Sequence, residues 1–306
     1  MKVLSVAFGH TWSWGLVENA LIEELAKYEF QFERAIMKAD TNISADVILC
    51  QQVTLLANLY RKRQTLCRLG GNKTFIHNDA VLFYLQQMKK CYAIIATNKF
   101  LYDIGKLVNE RTYLIPNGLD LDKWCPRRTP KDWEGFRVGF CGNVMIPMYR
   151  SYKGIDLVEI ACRKLGFEFV GTYYGDNQLP HDQMRDSFYH RIDCLVHPTL
   201  GEGCSNTVME ALACGVPVIT TKAAGLHGEE LQNFDNVLFC SRSVDSIASL
   251  LILLAESQDL PKRLAEKGRK YAEDRHDIRK IALEFKKVFE ECHEFNKETL
   301  DDPKTN

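Results

Sequence analysis

Two glutamates, Glu202 and Glu210, stand eight positions apart in the run GEGCSNTVMEALACGVPVITT (201–221). The strand-like run DCLVHPT (193–199) precedes them and VPVITT (216–221) follows, so the stretch reads as strand, loop and helix, with Gly215 ending the helix. Gly203, Cys204, Ser205, Asn206 and Thr207 are all small or polar. Small residues let a ligand approach the backbone N–H groups at the helix start, which with the helix dipole form an anion site suited to a diphosphate. A carboxylate at the loop mouth can accept hydrogen bonds from hydroxyls. A second carboxylate farther along reaches others only on a long, polyhydroxylated ligand, since eight helical residues span about 12 Å. Thr207-x-x-Glu210 equally matches a capping box, and Glu202 equally reads as a solvated loop acid.

The elements that must position these residues alternate along the chain. Strand candidates are 3–8, 46–50, 73–77, 92–98 and 112–116, interleaved with amphipathic stretches at 17–28, 52–66, 79–90 and 99–109. Short apolar strands separated by helices imply parallel pairing, because parallel strands need crossover connections. The segment 116–135 breaks the rhythm with three prolines and two glycines and reads as a linker. A second series follows, with strands at 136–143, 167–172, 193–199, 217–221 and 237–240 and a helix at 153–165. A last helix, 277–295, carries Ile278, Ile281, Phe285, Val288, Phe289 and Cys292 at three-and-four spacing, a stripe that needs a partner surface. The pattern predicts two Rossmann-like units with a ligand outside the carboxyl ends of their strands.

Length and composition agree with a two-domain globular chain. It has 306 residues, 46% hydrophobic and 26% charged, with a formal net charge of −1 that argues against wholesale binding of nucleic acid. No apolar run reaches the roughly 18 residues of a membrane span, and residues 1–8 are too short and strand-like for a signal peptide, so the expected location is cytoplasmic. The eleven cysteines are scattered without a C-x-x-C pair and read as reduced, buried small hydrophobes rather than a disulfide or zinc framework.

The run E-G-C-S-N-T-V-M-E-A-L-A-C-G-V-P-V-I-T-T closely resembles the E-x7-E signature of family 4 retaining glycosyltransferases, which have the GT-B fold of two Rossmann-like domains facing across a cleft. The resemblance implies that Glu202 contacts the donor sugar near its reacting carbon and that Glu210 binds the ribose hydroxyls. Residues 203–207 would hold the diphosphate. GFCGNVMIPMYRSYKG (139–154) resembles the family's loop after the first donor-domain strand, where an arginine and a Lys-Gly pair grip the diphosphate. Lys153 and Gly154 match, Asn143 stands where arginine is expected, and Arg150 is a substitute for it or a solvated cation. His77, ending KTFIHND (73–79), falls where the family places a cleft histidine near the reacting sugar, although a strand-end histidine is equally structural. AFGHTWSWG (7–15) matches a glycine-rich loop mainly through Gly15; Trp12 and Trp14 stack on an acceptor or simply pack, and His10 is a further candidate. Tyr173 lies where the family contacts the nucleobase. The resemblance places His181 and His190 on a helix as surface or packing residues, and reads DLD (120–122) as a linker turn rather than a metal motif.

The expectation is therefore a GT-B glycosyltransferase, retaining and metal-independent, that transfers a hexose from a UDP- or GDP-linked sugar to an unidentified glycan, protein or small-molecule acceptor. A GT-B nucleotide-sugar epimerase or hydrolase and a catalytically weak nucleotide-sugar-binding subunit remain as alternatives. The acceptor domain is expected at 1–117 with the returning helix 277–297, the donor domain at 118–276, and a polar tail at 298–306. His77 and Glu202 are the expected catalytic pair, and no cofactor or metal is expected beyond the nucleotide-sugar co-substrate. Domain closure across the linker would exclude water from the reaction.

Overall fold

In the computed structural model, residues 1–7, 13–36, 45–52, 64–70, 80–129, 131–145, 147–174, 177–223, 225 and 231–300 are described. The chain divides into two compact units, Met1–Gly118 with Ile278–Asn306, and Leu119–Asp277.

The first unit holds six strands: β1 (Lys2–Ala7), β2 (Gln31–Ile36), β3 (Val47–Cys50), β4 (Thr65–Leu69), β5 (Ala93–Ala96) and β6 (Thr112–Leu114). They form one sheet in the order β2-β1-β3-β4-β5-β6, every pair parallel. Helices α1 (Ser13–Ala26), α2 (Val81–Met88) and α3 (Lys99–Lys106) lie between strands in sequence, and α10 (Ile278–Leu300) returns from the chain's far end. Both faces of the sheet are covered, as parallel sheets require. In β5 the two-residue period sends Ala93 and Ile95 into the core layer that α10 completes, and Ile94 and Ala96 into the opposite layer beside Met88 and Leu101. The stripe on α10 finds its surface here: Phe285, Val288, Phe289 and Cys292 are buried with Leu21, Leu25 and Phe30.

Two strands depart from the sequence expectation. β2, QFERAI, was not anticipated because only Ala35 of its six residues is buried, as suits an edge strand. β4, TLCRL, overlaps the stretch read as amphipathic through 66, because Arg68 interrupts its apolar run. Arg68 is nevertheless buried, donating to Gln51 at 3.2 Å and Asn117 at 2.5 Å and lying over the Phe285 ring. The expected strand at 73–77 lies outside the described residues.

The second unit has β7 (Arg137–Asn143), β8 (Glu168–Tyr174), β9 (Cys194–His197), β10 (Val218–Thr220) and β11 (Leu238–Phe239), all parallel in the order β11-β10-β9-β7-β8. Its helices are α4 (Pro147–Lys153), α5 (Ile155–Leu165), a single turn α6 (Met184–Ser187), α7 (Asn206–Ala213), α8 (Val244–Glu256) and α9 (Leu260–Arg275). The helix expected over 153–165 begins earlier and is broken in two at Gly154, whose φ of +76° is left-handed and favours glycine. The helix expected within 181–194 is reduced to α6 and a 3₁₀ turn, Tyr189–Arg191. Again two apolar layers cover the sheet, with Leu195 in one and Cys194 and Val196 in the other. All eleven cysteines are free, and nine are buried.

Candidate active site

The chemistry collects at the carboxyl ends of β7 and β9 in the second unit. β9 ends at His197, and the loop after it is fixed from several sides before α7 begins. Thr220 Oγ1 donates to the His197 carbonyl at 2.9 Å, and Thr221 Oγ1 donates to the Thr199 carbonyl at 2.7 Å. Arg242 donates through Nε to the Pro198 carbonyl at 2.7 Å and through Nη2 to the Ser151 carbonyl, tying the β9 loop to α4. The Glu202 N–H donates to the Ala223 carbonyl at 2.9 Å. Gly225, at φ +72°, crosses so close that an added Cβ would stand 2.2 Å from the Glu202 carbonyl oxygen.

Within that frame Lys153, the last residue of α4, forms an ion pair with Glu202. Its stem passes the backbone of Gly142, where an added Cβ would sit 3.8 Å from Lys153 Cδ. Glu202 Oε1 also lies 3.3 Å from Thr199 Oγ1 and 3.5 Å from His197 Nε2. Burial alone would raise the Glu202 carboxyl, but the Lys153 charge and the His197 hydrogen bond outweigh it and bring the pKa down to about 2. Glu202 is thus an ionised carboxylate at neutral pH, with its side chain still 20% exposed. Burial pulls the His197 imidazole below its ordinary value, so it is neutral.

Glu210 has a different setting. Tyr189 donates its hydroxyl to Glu210 Oε2 at 2.7 Å, and His181 Nε2 lies 2.9 Å from Oε1. Trp124 packs on both partners, with ring centroids 5.0 Å from His181 and 5.7 Å from Tyr189. The start of α7 is capped by Ser205, whose hydroxyl accepts from the Val208 N–H at 3.4 Å. Glu210 is therefore not occupied in a capping box: its carboxylate is presented by aromatic and imidazole donors. Beside it, burial lifts the Cys141 thiol to about 12, so this cysteine is an unreactive neutral group.

The structure brings Lys153, Glu202 and the turn Gly203–Cys204–Ser205 together, with Asn206, Thr207 and Glu210 continuing on α7. It commits Arg150 elsewhere, to Asp156 at 2.8 Å and Glu159 at 3.6 Å. Asn143 ends β7 and accepts from the Met145 N–H at 3.1 Å, a turn contact that carries no charge. Tyr173 packs against the core layer of Phe140 and Ile155, and its N–H donates to Asn177 at 3.1 Å. Gly15 lies in the first turn of α1, beside Trp14 in the same turn. His77, His10 and Trp12 lie outside the described residues. Asp120 turns the DLD segment by accepting from the N–H groups of Asp122 and Lys123 at 3.0 and 3.2 Å. Among the described residues no group of three His, Cys, Asp or Glu is arranged to hold a metal ion.

Three site residues escaped sequence reasoning. His181, expected on the surface or in packing, holds Glu210. Tyr189 does the same from a loop expected to be helical. His197 was read as part of a strand, although a histidine inside an otherwise apolar buried strand was itself a usable signal.

Residues 177–271, which include both glutamates, His181, Tyr189 and His197, match the family model described as Glycosyl transferases group 1. The chain is 23% identical over 218 residues to the uncharacterized glycosyltransferase MJ1178 of Methanocaldococcus jannaschii, covering 65% of this chain and 59% of that protein. It is 24% identical over 99 residues to a second uncharacterized glycosyltransferase of that organism, MJ1069, covering 32% of this chain and 25% of the relative. The match thus spans less than two thirds of either curated relative. Among solved structures, Anabaena Alr3699/HepE in complex with UDP-glucose superposes with a TM-score of 0.77 at 14% identity, covering 95% of this chain and all of that one. Sucrose-phosphate synthase from Thermosynechococcus elongatus gives 0.77 at 15% identity, with 95% and 98% covered. The fold is accordingly GT-B, with one parallel α/β sheet in each unit.

Proposed function

We propose that this chain is a retaining, metal-independent glycosyltransferase that moves a hexose from a nucleoside-diphosphate sugar to an acceptor. The observation that carries the reading is the different presentation of the two glutamates. Glu202 is held ionised at the loop mouth beside Lys153, and Glu210 is offered farther along by Tyr189 and His181. A donor laid along the turn would place its sugar at Glu202 and its ribose at Glu210, with the diphosphate at Lys153 and the start of α7. The neighbour HepE was crystallised with UDP-glucose, which supports a uridine or related donor.

The chemistry suits these residues. As the nucleoside diphosphate leaves, negative charge grows on its phosphate oxygens, and a preorganised cation and helix-start amides stabilise it. Glu202, as a carboxylate, can stabilise the oxocarbenium-like sugar. In this reading the leaving phosphate helps deprotonate the acceptor hydroxyl on the same face, so no metal is needed. His77 is the proposed contribution of the acceptor domain.

One observation favours a second reading. With Asn143 in place of a cation and Arg150 ion-paired to Asp156 and Glu159, leaving-group stabilisation rests heavily on Lys153, as suits a weakly catalytic nucleotide-sugar-binding subunit. Release of nucleoside diphosphate from a panel of UDP-, GDP- and ADP-sugars, with and without acceptor sugars, separates the readings. Acceptor-dependent release supports transfer. Acceptor-independent release indicates a hydrolase or epimerase, and binding without release indicates the subunit.

A further inference from the structure

We propose that His197 is a positioning residue that keeps the Glu202 carboxylate in place when Lys153 is drawn to another anion; its catalytic consequence rests on the transferase reading above. The His197 side chain is 1% exposed, and its ring faces Phe140 with centroids 6.5 Å apart. Its Nε2 lies 3.3 Å from the Ser205 hydroxyl and 3.5 Å from Glu202 Oε1. Its Nδ1 is buried and has no hydrogen-bond partner among the described residues. Only Nε2 faces acceptors, so the ring is the neutral tautomer with hydrogen on Nε2. An imidazolium would bury a second donor with nothing to accept it.

That single N–H reaches two things at once: the carboxylate at the loop mouth and the hydroxyl that caps α7. The backbone that carries the ring is fixed, because its carbonyl is held by Thr220 and its strand is paired on both sides, and burial beside Phe140 confines the ring. The functional consequence follows from charge. Lys153 and Glu202 neutralise each other as an ion pair, and a phosphate group would compete for Lys153. A neutral, buried histidine lacks the charge that draws a lysine to phosphate. With Thr199, it retains the carboxylate after the lysine turns away.

The test is an NMR titration of the Glu202 carboxyl carbon and the His197 ring nitrogens in the full chain, compared with H197Q, H197F, K153A and K153A/H197F. Gln keeps a side-chain N–H donor in this position, whereas Phe keeps only the ring. The expected result is a neutral Nε2–H tautomer throughout pH 5–8, a Glu202 pKa raised by about one unit in H197F, and recovery in H197Q. The increment from H197F should be larger in the K153A background. Where sugar transfer is observed, H197F should lower kcat about tenfold with little change in donor KM, and H197Q should restore most of it. An Nδ1–H tautomer, a ring that titrates within that range, or a Glu202 titration indifferent to H197F and K153A/H197F overturns the proposal. These titrations need no substrate, so absence of turnover in the wild type would count against the transferase reading while leaving the role of His197 decided by the spectra.

Discussion

At the residue scale, Lys153 and Glu202 set the electrostatics of the site. Glu202 is held at about 2 against an ordinary 4.5, so it stabilises the folded state above about pH 4.5, and that contribution is lost as pH falls toward 2. Lys153→Ala should raise the Glu202 pKa by at least one unit and move the acid-unfolding midpoint to higher pH, both readable by titration. It should also weaken diphosphate binding at least tenfold by calorimetry, since the cation is lost at the proposed diphosphate site. Glu210 poses a different problem, because removing it costs the buried Tyr189 hydroxyl its 2.7 Å acceptor and leaves it the longer 3.3 Å contact with the Thr207 carbonyl. Glu210→Ala should therefore cost about 1–3 kcal/mol of stability as well as nucleotide affinity, whereas Glu210→Gln should keep more stability while still losing affinity. Thermal denaturation beside calorimetry separates the two effects. The glutamates and Lys153 were legible in the sequence because a strand–loop–helix pattern fixes their neighbourhood locally. His181 was not, because its contact with Glu210 joins positions 29 apart through a loop that no local pattern specifies.

At the element scale, the turn between β9 and α7 is shaped by backbones that approach too closely for side chains. Gly225→Ala would drive a Cβ into the Glu202 and Gly203 carbonyls and impose a left-handed φ on alanine. This variant should lose at least about 1–3 kcal/mol of stability and more than tenfold in turnover, checked by melting and by donor consumption. Ser205→Ala, by contrast, removes a helix cap and should cost about 1 kcal/mol. Most strands of both sheets were legible from their apolar runs. β2 was hidden by the polar surface of an edge strand, and β4 by Arg68, whose burial depends on Gln51 and Asn117 arriving from other loops. The break at Gly154 was not legible because α4 has no buried residue to mark an apolar face, and only the left-handed backbone separates it from α5.

At the scale of the whole molecule, the last helix belongs with the first residues. α10 buries Phe285 and Phe289 in the core of the first unit, where Phe289 meets Phe30 and Phe32 with ring centroids at 5.9 and 6.1 Å. The stripe announcing this helix was plain in the sequence, but its partner surface lies more than 200 residues away along the chain. Phe289→Ala should cost about 3–5 kcal/mol and lower the melting temperature of the first unit. Lys297→Ala, whose partner Glu294 is also exposed, should leave the melting temperature essentially unchanged. If both variants melted alike, packing of α10 would not be what completes that core.

In the proposed function a nucleoside-diphosphate sugar lies along the turn from Glu202 to Glu210. A crystal structure of the protein with a UDP-sugar, or a GDP-sugar if titration selects it, tests this most directly. The expected complex has ribose hydroxyls on Glu210, the diphosphate at the start of α7 with Lys153 moved onto it, and the sugar against Glu202 still held by His197. A donor bound away from this turn, or bound here with the Lys153–Glu202 pair intact and Glu210 out of reach of the ribose, would contradict it.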